Sequence, residues 1–113
     1  MHELPMVMEL LSMMERKARE NHLSKITEID LRIGELSDLV DECIQLYFDT
    51  AAEGTCCEGA KLVFEKNPAI LRCTKCGRQF PYARSFQCPD CGGSATLVRG
   101  TGTGFVVKQI KAL

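Results

Sequence analysis

Two copies of one short device restrict this chain more than any other feature: Cys73-Thr74-Lys75-Cys76-Gly77 and Cys88-Pro89-Asp90-Cys91-Gly92. Two residues between paired cysteines let a tight turn aim both sulfurs at one point. A glycine after the second cysteine accepts the positive φ that such a turn demands. The turn also leaves backbone N–H groups free to point at the thiolates. Two knuckles supply four sulfurs, the shell that structural Zn²⁺ prefers. With all four positions filled by Cys73, Cys76, Cys88 and Cys91, no place remains for an activated water, so the pattern that points to zinc speaks against zinc hydrolysis. A rubredoxin-type iron site uses the same four sulfurs; zinc is the better match for a chain with no evident redox partner site. Free thiols or a pair of disulfides are the alternatives, and the doubled spacing with matched glycines argues against both.

The segment around the knuckles offers few apolar side chains, chiefly Phe80, Tyr82, Phe86 and Leu97. A bound metal must therefore supply much of its folding free energy, on the order of 10 kcal/mol. Arg72, Lys75, Arg78, Arg84 and Arg99 stand there against one acid, Asp90. They suit a zinc–tetrathiolate centre, which carries two negative charges. Cys43 falls on an apolar helical face and reads as core. Adjacent cysteines do not easily grip one ion, so Cys56 and Cys57 read as incidental. Seven cysteines are an odd number for a secreted disulfide framework. The opening MHELPMVMELLSMMERKARE has no basic leader and no small-residue cleavage site, and no run is long enough to span a bilayer. These features point to the reducing cytoplasm.

The rest of the chain alternates helical and strand patterns. Leu4, Val7, Leu11, Met14 and Ala18 lie on one helical stripe over residues 4–20. Pro5 fits the first turn, where its missing N–H costs nothing. Over 26–33, Ile29, Leu31 and Ile33 alternate with Glu28, Asp30 and Arg32, a half-buried strand ended by Gly34. Ser37 or Asp38 is placed to cap a second helix with Leu39, Cys43, Leu46, Tyr47 and Thr50 or Ala51 as its apolar face and Gly54 as its stop. Residues 60–66 and 104–111 read as further strands. The expected fold class is α+β: a small two-helix, three-strand layer with an inserted zinc-ribbon-like module. Residues 1–69 plus 99–113 form the α/β domain and 70–98 the zinc-binding module.

The first three residues form a second candidate metal site. His2 is bulky, and initiator methionine is normally retained before a bulky residue, so the free amine belongs to Met1. That amine, the amide nitrogen of His2 and its Nδ1 form two fused chelate rings. Glu3 can complete a planar shell with its amide nitrogen or its carboxylate. Planar nitrogen-rich sites suit Ni²⁺ and Cu²⁺. The bland alternative is a solvated histidine that happens to fall second. Met6, Met8, Met13 and Met14 lie on or beside the apolar stripe and read as core, not as soft ligands. His22 lies in a polar turn with no clear role.

Taken together, the Met-His-Glu-Leu opening, the segment IDLRIGELSDLV and two CxxCG knuckles, the second written CPxCG, closely resemble the HypA/HybF family of hydrogenase nickel-insertion accessory proteins and its urease-linked relatives. The resemblance covers essentially the whole chain. It implies a metallochaperone that takes Ni²⁺ through Met1, His2 and Glu3 and holds structural Zn²⁺ through Cys73, Cys76, Cys88 and Cys91. It also implies work with a HypB-type GTPase to supply the large subunit of [NiFe]-hydrogenase, or with urease accessory proteins. Pro5 departs from the small polar residue expected in many relatives, and leaves the amides of His2 and Glu3 intact. A homodimer by exchange of the last strand is compatible with this layout.

Two rivals fare worse. A nucleic-acid-binding or regulatory zinc ribbon would use the local basic surplus, but a four-thiolate zinc centre cuts it by two, and the whole chain carries a net charge of −1. The same charge gives no attraction to membrane lipid. An enzyme would need a nucleophile or acid–base constellation, and none is present. Gly100-Thr101-Gly102-Thr103-Gly104 lacks the Lys-Ser/Thr ending of a phosphate loop and reads as a turn before the last strand.

Overall fold

A computed structural model of the chain describes residues 3–113. It is mixed α+β: helix α1 (Glu3–Glu20), strand β1 (Ile26–Gly34), helix α2 (Asp41–Ala51), then β2 (Lys61–Asn67), β3 (Ile70–Cys73), β4 (Gln79–Pro81), β5 (Ala95–Leu97) and β6 (Phe105–Ala112). The strands form two three-stranded sheets, ordered β2-β1-β6 and β4-β3-β5. The two helices, the three-strand layer and the inserted cysteine module are those the sequence pattern calls for. The β3–β5 strands are additional; at three or four residues each, they are too short to show a period.

The residues divide into two compact units. Among the described residues, the first comprises 3–32, 38–65 and 106–113; the second comprises 33–37 and 66–105. The cysteine-bearing unit thus takes in 33–37 and the flanks of residues 70–98.

In the first unit, α1 turns Met6, Val7, Leu10, Leu11, Met14 and Ala18 inward. Leu4, expected on this stripe, is 50% exposed. The helix ends in a Schellman motif. His22 takes φ 55°, the Leu23 N–H donates to Ala18 O at 2.9 Å and the His22 N–H donates to Arg19 O at 3.4 Å. This turn is the structural place of His22. In β1, Ile29 and Leu31 are fully buried.

Helix α2 departs from expectation twice. Its N-cap residue is Val40, with no side-chain cap of its own, rather than Ser37 or Asp38. Its buried face is Ile44 and Phe48, followed by Ala52, at four-residue spacing. Leu46 and Tyr47, expected inside, are 65% and 43% exposed. Cys43 is half-buried. Leu39-Cys43-Leu46 and Ile44-Phe48-Ala52 both satisfy a helical period, and α2 uses the second. Among the described residues, no helix is long and apolar enough to cross a membrane.

Candidate metal centre

The cysteine-bearing unit is built on β3. It pairs antiparallel with β4, aligning Leu71 with Phe80, and with β5, aligning Cys73 with Ala95. Leu71, Cys73, Phe80, Cys88 and Ala95 make its small core, with Tyr82 and Leu97 packed against it. Phe86, expected there, is 47% exposed and meets Tyr82 with ring centroids 5.5 Å apart. Two of the five core residues are cysteines of the knuckles, so the apolar core proper is three side chains.

The knuckles repeat one hydrogen-bond scheme. In the first, the Gly77 N–H donates to Cys73 O at 3.1 Å and the Cys73 N–H to Arg78 O at 2.9 Å; in the second, the Gly92 N–H donates to Cys88 O at 2.9 Å and the Cys88 N–H to Gly93 O at 2.8 Å. Gly77 and Gly92 take φ 76° and 71°, the left-handed conformation the turn requires. In each knuckle the first cysteine is buried and the second exposed.

The four sulfurs converge. All lie within 4.8 Å of one another. Cys73 Sγ is 3.4 Å from Cys91 Sγ, and Cys76 Sγ is 3.7 Å from Cys88 Sγ. A tetrahedral ion with metal–sulfur bonds of about 2.3 Å places its sulfurs about 3.8 Å apart. The donor set therefore fits a tetrahedral tetrathiolate ion, and all four cysteines are free thiols. Backbone N–H groups of Lys75 and Cys76 point at Cys73 Sγ from 3.3 and 3.4 Å. The Cys76 amide, ahead of that of Lys75, pulls the Cys73 thiol down to about 6 against the effect of burial. Thiolate is the ligand form. Across the knuckles, Arg78 pairs with Asp90 at the surface.

The other cysteines stay apart from this centre. Cys56 is half-buried and Cys57 fully buried, with sulfurs 3.9 Å apart. Burial, ahead of the neighbouring Cys56, pushes the Cys57 thiol up to about 12, so it remains protonated. Of the amino-terminal trio, Met1 and His2 lie outside the described residues. Glu3 opens α1 and is buried, and its Oε2 accepts the Val40 N–H at 2.9 Å. That contact spans 37 residues and had no signal in the sequence.

An α+β layer carrying a four-cysteine centre on paired CxxCG knuckles defines a small metal-site protein. The family model described as "Hydrogenase/urease nickel incorporation, metallochaperone, hypA" matches residues 1–112. The chain belongs to this HypA family. It is 37% identical over 112 residues to the hydrogenase maturation factor HypA of Caldanaerobacter subterraneus subsp. tengcongensis, covering 98% of each chain. It is 40% identical over 93 residues to that of Chlorobaculum tepidum, covering 81% of this chain and 82% of the relative. Its fold is similar to a solution structure of the Ni metallochaperone HypA from Helicobacter pylori, with a TM-score of 0.76, 24% identity and coverage of 100% and 98%. A solution structure of HypA protein superposes with a TM-score of 0.76 at 26% identity, covering 100% of this chain and 97% of the other.

Proposed function

We propose that this chain is a cytoplasmic nickel carrier that takes Ni²⁺ at Met1, His2 and Glu3 and hands it on during [NiFe]-hydrogenase maturation. Cys73, Cys76, Cys88 and Cys91 hold a structural Zn²⁺ in this reading. The observation that carries it is the match of essentially the whole chain to a nickel-incorporation family. The converging sulfurs support the zinc assignment, because a closed four-thiolate shell leaves no open position for chemistry at the metal. Zinc is preferred to iron because the site's role here is to shape a fold, and no electron-transfer partner surface is invoked.

The amino-terminal site suits a cargo metal. Handover calls for a site of modest affinity, whereas a closed cage would trap its ion. The chain does no bond-making chemistry of its own. A HypB-type GTPase supplies nucleotide hydrolysis, and the recipient is the hydrogenase large subunit or a urease accessory protein. A homodimer is one form in which the carrier works. The decisive experiment is calorimetric titration of Ni²⁺ into protein with its native amino terminus and into the His2→Ala variant. Loss of one imidazole and its chelate ring is expected to weaken binding at least about tenfold. Equal affinity in the two proteins removes the amino-terminal site. Metal analysis of the untagged protein should return one zinc per chain, and iron in its place overturns that assignment.

A further inference from the structure

Cys56 and Cys57 stand side by side between α2 and β2 and belong to neither metal site described above. Their sulfurs are 3.9 Å apart. Hydrogen bonds hold the backbone of the pair in place. The Ile26 N–H donates to Cys56 O at 2.8 Å and the Ala60 N–H to Cys57 O at 2.9 Å. The Cys57 N–H donates to Thr55 Oγ1 at 3.1 Å, and that hydroxyl donates to Ala52 O at 2.7 Å. Cys56 is half-buried and lines a surface pocket of about 270 Å³ with Glu15, Ala18, Arg19 and Leu23. Cys57 is fully buried.

Two fates ordinarily open to paired thiols fit this geometry poorly. Alpha carbons joined by one trans peptide are about 3.8 Å apart, short of the separation of about 4.4–6.8 Å that disulfides take. A soft cation such as Cu(I) suits thiolates, but in two-coordinate form it wants them on opposite sides, which neighbouring residues do not easily reach. Trivalent arsenic asks for something else. It bonds sulfur on a narrow pyramid, so it takes two thiols from one side, and its own atom lengthens the bridge beyond that of a disulfide. A small turn about either χ1 brings the sulfurs from 3.9 Å to the closer spacing a shared arsenic needs.

We propose that Cys56 and Cys57 form a dithiol site for trivalent arsenicals, compounds of the class R–As(OH)₂. The Cys56 sulfur, at the pocket, makes the first As–S bond, and the Cys57 sulfur closes the ring. Two As–S bonds form and two As–O bonds break. Each thiol proton leaves with a hydroxyl as water, and arsenic stays trivalent, so no oxidant or reductant is required. Burial keeps the Cys57 proton in place for that step. Ala18 and Leu23 give the organic group an apolar wall.

The test uses phenylarsine oxide, which hydrates to the dihydroxide, on the full chain loaded with zinc so that the four knuckle thiols are engaged. Intact-mass measurement is expected to show one phenylarsenic group per chain with zinc retained, and peptide mapping to place it on Cys56 and Cys57. Excess mercaptoethanol should leave the adduct in place and dimercaptopropanol should remove it, because only a second dithiol matches the chelate. Cys56→Ser should weaken retention against mercaptoethanol by about a hundredfold or more, the loss of an intramolecular second bond. Cys57→Ala should do the same; if that buried change prevents folding, Cys56→Ser decides alone. No adduct on the wild type, equal retention in Cys56→Ser, or arsenic on the knuckle cysteines with release of zinc overturns the site.

Discussion

Gly34 sits where three pieces of backbone meet. Its N–H donates to Gly104 O at 2.9 Å, and the Leu36 N–H two residues on donates to Gly102 O at 2.7 Å. A Cβ on Gly34 would fall on the Thr103 amide nitrogen and the Gly102 carbonyl. Both are backbone, with no flexible side chain to swing aside. Gly102 is pressed in turn against Ala69, whose N–H donates to a Glu35 carboxylate oxygen at 2.9 Å. Gly34→Ala should therefore lower the unfolding free energy by about 3 kcal/mol, as overpacking does. Urea denaturation measures it; a change within about 0.5 kcal/mol would show that the loop gives way freely. The sequence marks Gly34 as the end of a strand. It does not show that the residue must be glycine, because the reason lies in a loop nearly seventy positions downstream. His22 is a parallel case: its composition suggested a polar turn, and its left-handed backbone conformation became visible only with the helix end it closes.

Among the elements, β1 was legible because strict alternation admits one burial pattern. Ile29 and Leu31 face inward and are fully buried. Helix α2 was legible only as a helix. Its eleven residues, Asp41–Ala51, carry apolar side chains on more than one face, so periodicity alone admits two stripes. Packing selects Ile44 and Phe48, each fully buried, and leaves Tyr47 at 43% exposed. Phe48→Ala should cost about 3–5 kcal/mol, while Tyr47→Ser should cost no more than about 0.5 kcal/mol. Denaturant unfolding of the two variants separates these faces; comparable losses would restore the Tyr47 stripe as part of the core. The missing cap has the same origin. Ser37 and Asp38 have the right chemistry in the right region, yet the helix begins at Asp41 and draws its acceptor from another element.

The two compact units are held by different means. Val7, Leu10, Ile26, Ile29, Leu31, Ile44 and Phe48, each 0% exposed, fill the first. The second gathers a small cluster, Leu71, Phe80 and Ala95, around Cys73 and Cys88, with Tyr82 and Leu97 packed against it. Chelating the metal should consequently strip hydrogen-exchange protection from Leu71, Cys73 and Phe80 while Ile29, Leu31 and Ile44 keep theirs. Loss of protection in both units together would mean that the molecule unfolds as one. The four ligands were legible from their spacing; the size of the unit they hold was not, because 33–37 joins it through backbone bonds that no side-chain pattern records. The pairing of the sulfurs carries one more consequence. The two close approaches the structure records, Cys73 with Cys91 and Cys76 with Cys88, each join one knuckle to the other. Peroxide reaching the thiols while the unit is still folded, before the chelated chain opens, would then stitch a ring inside a ring, with Cys76–Cys88 enclosed by Cys73–Cys91. Peptide mapping would find these two crosslinks in preference to Cys73–Cys76 and Cys88–Cys91. Such a clasp would keep the outline of the metal-loaded fold while barring the ion's return until a reductant opens it.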